Sequence, residues 1–158
     1  MRKQFMKTLT ELVELDDDIV LLYGDIKQCM DEFQKKFPNR IYNMGLAEQS
    51  MISIAAGMAL EGLKPVVYSF TSFLSKRALE QIFLDVDQQN AQVILVGYDS
   101  CYPTQGSTHN REGIEHISRI FKNMKCYFPQ NSEETIKYLL KAYRKGGPAF
   151  FSLRREEK

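Results

Sequence analysis

The sequence has almost no net charge, few cysteines and no long apolar run. Its 158 residues include 21 basic and 20 acidic side chains, so there is no electrostatic reason to expect binding to nucleic acid or to a membrane surface. No apolar stretch approaches the roughly 20 residues of a membrane-spanning helix, and Thr8 and Thr10 interrupt any secretory signal core. The 3 cysteines form no Cys-x-x-Cys pair, which is typical of reduced thiols. We therefore expect a cytoplasmic protein.

Short apolar runs predict the strands of a single domain that spans residues 1–158. Four of these runs lack polar alternation, as expected of parallel strands that are buried on both faces. With two shorter candidates, the predicted strands cover residues 19–22, 41–42, 66–68, 93–96, 125–127 and 149–151. Helical patterns lie between them, at residues 5–13, 31–36, 47–60, 74–88, 114–121 and 132–143.

This alternation of strands and helices predicts an α/β fold, doubly wound around a mainly parallel six-stranded sheet with helices on both faces. Ligands of such sheets bind at the carboxyl ends of the strands. Glu48 follows one predicted strand, Phe70 and Phe73 follow the next, and residues 98–109 follow a third. We therefore expect all three segments to lie at one edge of the sheet.

Glu48 is the most informative residue, because it begins a predicted helix that is otherwise almost wholly apolar. Burial penalises the ionised form of a carboxyl, and proteins place such groups where a proton is shared or moved. The alternative interpretation is a first-turn glutamate that the helix dipole favours.

The residues around Glu48 also resemble a known family. Gly-Leu-Ala-Glu-Gln at 45–49, followed by Ala-Ala-Gly-Met-Ala-Leu-x-Gly at 55–62, is similar to the pyrimidine-binding domain of transketolases and deoxyxylulose-phosphate synthases. The resemblance continues through Lys-Pro-Val-Val-Tyr-Ser-Phe at 64–70, Glu80-Gln81 and Gly-Ser-Thr-His at 106–109. It implies thiamine diphosphate as cofactor, with Glu48 bound to N1′ of the aminopyrimidine so that the 4′-nitrogen can remove the proton from C2.

Other site residues follow from the same resemblance. It implies that Phe70 and Phe73 wall the pyrimidine ring, although core packing is the alternative for any such pair. It places Asp25 near the thiazolium ring. It also implies that His109 faces the reacting centre and handles substrate oxygens, whereas an isolated loop histidine usually faces solvent. Arg77, one helical turn beyond Phe73, is either a surface charge or an anion contact, and with Tyr98 it is a further candidate for substrate contact.

The chain departs from the family in what it lacks. Family members hold the diphosphate and Mg²⁺ through a Gly-Asp-Gly motif on a second domain, but here Gly24-Asp25 is followed by Ile26. We interpret the acidic run at residues 16–18 as a solvated turn, so no metal site is expected within the chain. The resemblance therefore implies a partner subunit that binds the diphosphate and Mg²⁺, in a heterotetramer, or a homodimer of this domain.

Substrate-side residues also differ from the family pattern. Transketolases have His-Asp-Ser where this chain has Tyr-Asp-Ser at 98–100, and Arg-Pro where it has Phe128-Pro129. Two-carbon transfer to or from a small carbonyl or sugar substrate is therefore better supported than any particular sugar phosphate. The alternatives are a β-type subunit of a 2-oxoacid dehydrogenase, a deoxyxylulose-phosphate synthase-like enzyme, and a non-catalytic regulatory remnant.

Overall fold

A computed structural model describes residues 1–24, 27–99, 106–109, 115 and 118–154. Its centre is one sheet of six strands in the order β2-β1-β3-β4-β6-β5, in which every neighbouring pair is parallel. All residues of the first and last strands are buried, as their apolar sequences require. The strands are β1 (Ile19–Tyr23), β2 (Ile41–Asn43), β3 (Lys64–Phe70), β4 (Ile94–Tyr98), β5 (Lys125–Tyr127) and β6 (Ala149–Leu153). The predicted six-stranded α/β fold is confirmed.

Helices cover both faces of the sheet. On one face, α1 and α5 pack against each other and enclose a core that includes Phe5, Leu139 and Phe151. On the other face, α3 and the segment after β3 enclose a second core around Met51 and Leu74. The described helices are α1 (Arg2–Val13), α2 (Asp31–Lys36), α3 (Glu48–Leu60), α4 (Leu79–Gln81) and α5 (Ser132–Lys145). No described helix is long and apolar enough to span a membrane.

The segment after β3 differs from its prediction. The pattern at residues 74–88 predicts one continuous helix, but the structure has two π-helical turns, Phe73–Arg77 and Ile82–Asp87, on either side of α4. The amide of Ala78 donates to the carbonyl of Phe73, five residues back, where an α-helix would pair residues four apart. Of the helix predicted at 114–121, residues 114, 116 and 117 lie outside the described residues, Glu115 is helical, and Ser118–Ile120 form a 3-10 turn instead of a continued α-helix.

The order of strands creates a switch point between β1 and β3. From β1 the chain crosses to β2 at one edge of the sheet, and it then returns to β3 on the other side of β1. Helices leave the carboxyl ends of these strands in opposite directions, and the crevice between them is the usual ligand site of open parallel sheets. α3 begins beside this crevice, so its first residue is placed at the predicted edge.

The opposite, amino edge of the sheet is held by a charged cluster. Lys64 Nζ and the Tyr143 hydroxyl each donate a hydrogen bond of 2.6 Å to Asp16 Oδ2, whose side chain is only 8% exposed. Burial alone would raise the pKa of Asp16, but hydrogen bonds from Lys64, Tyr143 and the backbone of Asp18 outweigh it and lower the pKa. The cluster ties the α1–β1 connection to the start of β3 and to the end of α5.

A second buried carboxylate, Asp87, fixes the approach to β5. It is 1% exposed, and its two oxygens accept hydrogen bonds from the backbone amides of Lys122, Asn123 and Met124 at 2.6–2.9 Å. The neighbouring Cys126 is affected by this arrangement. Burial, with a smaller contribution from the negative charge of Asp87, raises the pKa of the Cys126 thiol to about 12.

Candidate active site

Glu48 lies at the switch point and is sealed from solvent. As the first residue of α3 it is 1% exposed, and its Oε1 accepts a hydrogen bond of 3.2 Å from the hydroxyl of Ser69 on β3. The backbone after β1 passes close to this carboxyl, because a Cβ built on Gly24 would lie 3.5 Å from Oε1 and 3.3 Å from Ser69 Oγ. Glycine at 24 therefore lets the ends of β1 and β3 close around one acidic group.

Arg77 is the second partner of this carboxyl. Its Nη1 donates a hydrogen bond of 3.0 Å to Glu48 Oε2, and its guanidinium carbon lies 3.9 Å from the centre of the Phe73 ring. The arginine side chain is 43% exposed, whereas the glutamate side chain is 0% exposed. Arg77 thus lies between the buried carboxylate and solvent.

The π-helical turn brings Arg77 to this position. Phe73 and Arg77 are the first and last residues of the turn. Each hydrogen bond of a π-helical turn spans five residues, one more than in an α-helix. The turn places the guanidinium on the face of the Phe73 ring and its Nη1 within reach of Glu48. Turns of this kind occur frequently at functional sites.

Three aromatic side chains meet beside the carboxyl. The Phe70 and Phe73 rings meet edge to face with centres 5.1 Å apart. The imidazole of His109 lies edge-on to both, 4.9 Å from Phe70 and 4.8 Å from Phe73. Thr108 Oγ1 is 3.1 Å from His109 Nδ1 and so helps to orient the ring. These contacts place His109 beside the aromatic wall, and its role at the reacting centre stays a prediction.

Tyr98 lies behind this wall. It is 2% exposed, its ring centre is 4.5 Å from Phe70, and it stacks on Tyr68 at 5.1 Å. Burial, with a smaller contribution from Tyr68, raises the pKa of the Tyr98 phenol well above its usual range. Arg2 covers the ring at 5.1 Å. A direct substrate contact by Tyr98 stays a prediction, and this packing favours a supporting role instead.

A close approach of β4 to the residue that follows β3 lies next to the aromatic wall. Gly97 on β4 lies against Thr71, where an added Cβ would be 2.5 Å from Thr71 Cα. The Thr71 hydroxyl is 3.4 Å from Ser152 Oγ on β6. Nearby in sequence, the buried hydroxyls of Ser72 and Ser75 have no hydrogen-bond partner among the described residues. Small hydroxyl side chains are therefore buried in and directly after the strands that carry the aromatic rings.

Five of the predicted site residues come together at this edge: Glu48, Phe70, Phe73, Arg77 and His109. Asp25 lies outside the described residues, next to Gly24. The sequence interpretation missed Ser69, although a lone serine in an apolar strand that reaches the site was a usable signal.

The arrangement suits a flat nitrogen heterocycle. A buried carboxyl can bind a ring nitrogen, and the faces of the phenylalanine rings can stack on a flat ring. Among the described residues there is no cluster of three or more histidine, cysteine, aspartate or glutamate side chains that could hold a metal ion. The contacts around Glu48 are thus those of a site for a flat, nitrogen-containing ring.

Comparison with known proteins agrees with this chemistry. Residues 1–158 match the family described as "Transketolase, pyrimidine binding domain". The chain is 36% identical over 156 residues to the 1-deoxy-D-xylulose-5-phosphate synthase of Marinomonas sp. (strain MWYL1), covering 92% of this chain and 24% of that protein. It is 31% identical over 159 residues to the 6-deoxy-6-sulfo-D-fructose transketolase subunit SqwH of Clostridium sp. (strain MSTE9), covering 98% of this chain and 49% of that protein.

Solved structures share the fold. A structure described as "Split gene transketolase, inactive beta4 tetramer" superposes with a TM-score of 0.88 at 29% identity, covering 98% of this chain and 51% of that chain. The transketolase of Leishmania mexicana superposes with a TM-score of 0.84 at 20% identity, which is evidence for the fold alone. The chain thus spans between a quarter and a half of the proteins it matches.

Proposed function

Since this chain belongs to the transketolase pyrimidine-binding domain family, we propose that it supplies the pyrimidine-binding half of a thiamine diphosphate-dependent, transketolase-like active site. The observation that carries the proposal is Glu48, fully buried at the switch point with Ser69 on Oε1 and the Phe70–Phe73 wall beside it. The reaction is cleavage and formation of a C–C bond next to a carbonyl, by transfer of a two-carbon unit.

Each residue has a definite task in this proposal. When bound, thiamine diphosphate supplies the carbon nucleophile of the reaction. Glu48 holds a proton between its carboxyl and the pyrimidine ring nitrogen, and the Ser69 hydroxyl orients that carboxyl. Phe70 and Phe73 position the flat ring and exclude water. His109, above the wall, binds and protonates substrate oxygens.

We propose that the diphosphate and Mg²⁺ are held by a partner chain. The Gly-Asp-Gly motif expected of that half-site is not in the sequence, where Gly24-Asp25 is followed by Ile26. This chain aligns with about half the length of two relatives, one named as a transketolase subunit and one described as a split-gene transketolase. These two relatives support a split enzyme, and we propose a heterotetramer of two copies of each chain.

Exposed apolar side chains before and along α3 support a partner at this helix. Leu46, immediately before α3, is 70% exposed, and Ile54 and Leu60 on α3 are 41% and 66% exposed. Large apolar side chains of this kind on one exposed helix are common at interfaces. We propose that the partner covers α3, so that the cofactor lies between the two chains.

A second candidate function is an activity of the deoxyxylulose-phosphate synthase type. The identity of 36% to the Marinomonas synthase supports it, compared with 31% to the transketolase subunit. Both candidates use the same carboxyl and aromatic wall, and they differ in the donor and acceptor, which other residues select.

Reconstitution tests the proposal. The chain is co-expressed with a candidate partner that contains Gly-Asp-Gly and a downstream asparagine, and two-carbon transfer is assayed with thiamine diphosphate, Mg²⁺ and panels of ketose and 2-oxoacid donors. We expect activity only when both chains are present, and donor choice separates the two candidates. Glu48→Gln serves as the matched inactive variant. A Glu48→Gln complex that turns over as fast as wild type would refute the proposed function.

A further inference from the structure

The Arg77 guanidinium fills the place that the proposed pyrimidine ring needs. It makes two contacts, a hydrogen bond from Nη1 to Glu48 Oε2 at 3.0 Å and face-on packing against Phe73 at 3.9 Å. These are the carboxyl and the ring face that the aminopyrimidine uses in the function proposed above. Both occupants cannot use them at once.

The chemistry of the two occupants is alike. A guanidinium is a flat cation in which N–H groups lie in the plane of a delocalised N–C–N unit. An aminopyrimidine protonated on its ring nitrogen is also a flat cation with an in-plane N–H beside an amino-substituted carbon. Either group can donate to the carboxylate of Glu48 while its face stacks on Phe73.

We propose that Arg77 is an internal ligand that occludes the pyrimidine site, so that cofactor binding requires its displacement. This inference rests on the proposed function, since it concerns the same site. The exposures agree with such a role, because the arginine side chain is 43% exposed and has a path to solvent, whereas Glu48 beneath it is 0% exposed. With the guanidinium in place, Glu48 keeps a charged partner in the absence of cofactor.

With Arg77 in the site, the apparent affinity for the pyrimidine is the intrinsic affinity multiplied by the fraction of molecules whose site is open. A hydrogen bond between charged groups is strong enough to reduce that fraction on the order of tenfold or more. The isolated chain should therefore bind the pyrimidine more weakly than its aromatic wall and carboxyl would allow, and removal of Arg77 should tighten the binding.

The test measures binding of 4-amino-5-hydroxymethyl-2-methylpyrimidine to the isolated chain by NMR titration. Relative to wild type, we expect Arg77→Ala to bind about tenfold more tightly. Arg77→Lys should fall between them, because an ammonium keeps the charge but loses the flat N–H fork. Lys76→Ala is the matched control, since it removes an exposed cation from the same turn, and its affinity should equal that of wild type. Arg77→Lys decides the result if Arg77→Ala does not fold.

Chemical rescue gives a readout that a merely structural role would not change. Methylguanidinium should bind Arg77→Ala and compete with the pyrimidine, whereas methylammonium at the same ionic strength should not. The occlusion would be overturned if Arg77→Ala bound the pyrimidine no more tightly than wild type. If Glu48→Gln then abolished the binding both in wild type and in Arg77→Ala, the proposed function would still stand. Absence of binding to every variant would overturn both.

Discussion

Replacement of Gly97 by alanine should destabilise the protein and loosen the candidate site together. An ideal Cβ at position 97 would lie 2.5 Å from Thr71 Cα and 2.6 Å from Thr71 Oγ1, whereas ordinary van der Waals contacts are 3.4–4 Å. The atom it meets most closely belongs to the backbone, so no side-chain rotation relieves the overlap. The structure can relieve it only by moving the residue after β3 away from β4.

The size of the effect follows from this geometry. Overpacking a close-packed interior typically costs 1–3 kcal/mol, and because the overlap involves backbone we expect about 3 kcal/mol for Gly97→Ala. For a chain of this size each kcal/mol shifts Tm by roughly 2–4 °C, so Tm should fall by about 6–12 °C.

Gly57→Ala provides a matched control of opposite sign. Gly57 lies within α3, and a Cβ there would have nothing within 4 Å. Alanine favours the helix by up to about 1 kcal/mol over glycine, so Tm should rise by about 2–4 °C. Thermal unfolding followed by circular dichroism at low protein concentration compares the two variants with wild type.

The same pair of variants tests the link to the site. Thr71 follows Phe70 directly, and Phe70 contacts both Phe73 and His109. A shift of Thr71 should therefore disturb the aromatic wall, and Gly97→Ala should bind the pyrimidine fragment less tightly, whereas Gly57→Ala should bind it normally. If Gly97→Ala melts at the temperature of wild type, the close approach of β4 to Thr71 is wrong and the reasoning fails with it.

Three further predictions concern titratable groups. The lowered pKa of Asp16 means that its charged form stabilises the fold above about pH 4, and that this stabilisation is lost as the pH falls through the folded-state pKa. Tyr143→Phe should lower the free energy of unfolding by about 1 kcal/mol at pH 7. Its unfolding free energy should also fall less than that of wild type between pH 7 and pH 3, as urea unfolding at the two pH values will show. In the reconstituted complex, Glu48→Gln should slow hydrogen–deuterium exchange at the cofactor C2 about a hundred- to ten-thousandfold, whereas His109→Ala should leave it near normal and impair substrate steps; unchanged exchange in Glu48→Gln would contradict the role of the carboxyl. Because its pKa is raised to about 12, Cys126 should resist thiol-specific reagents at pH 8, and rapid modification in the native protein would show that its burial is wrong.

The fold could be predicted because its buried strands are visible in the sequence as uninterrupted apolar runs. Apolar runs such as those at 66–68 and 149–151 exclude half-exposed strands, and the helices between them impose parallel crossovers. The π-helical turns could not be predicted in the same way. The apolar pattern at 74–88 is compatible with both an α-helix and a π-helix. Whether the backbone hydrogen bonds join residues four or five apart depends on packing against α3 and β3.

The site could be predicted in part for a similar reason. Glu48 and the Phe70–Phe73 pair follow from local motifs, and their meeting follows from the shared carboxyl edge of the sheet. The pairing of Arg77 with Glu48 joins residues 29 positions apart, across a turn whose hydrogen bonds were not foreseen. Such a contact depends on tertiary geometry, which no local pattern contains.

The π-helical turn at Phe73–Arg77 has a consequence for how this segment can change in evolution. A single inserted residue in an α-helix rotates everything after it by about 100° and moves apolar side chains off the core face. Here the extra residue is absorbed within one turn, so the residues that follow still pack against α3. Related chains that are one residue shorter between β3 and α4 should keep the same core and present a different side chain to the buried carboxyl. A one-residue gap at this point in an alignment would therefore mark a change in what faces Glu48, with the scaffold unaltered.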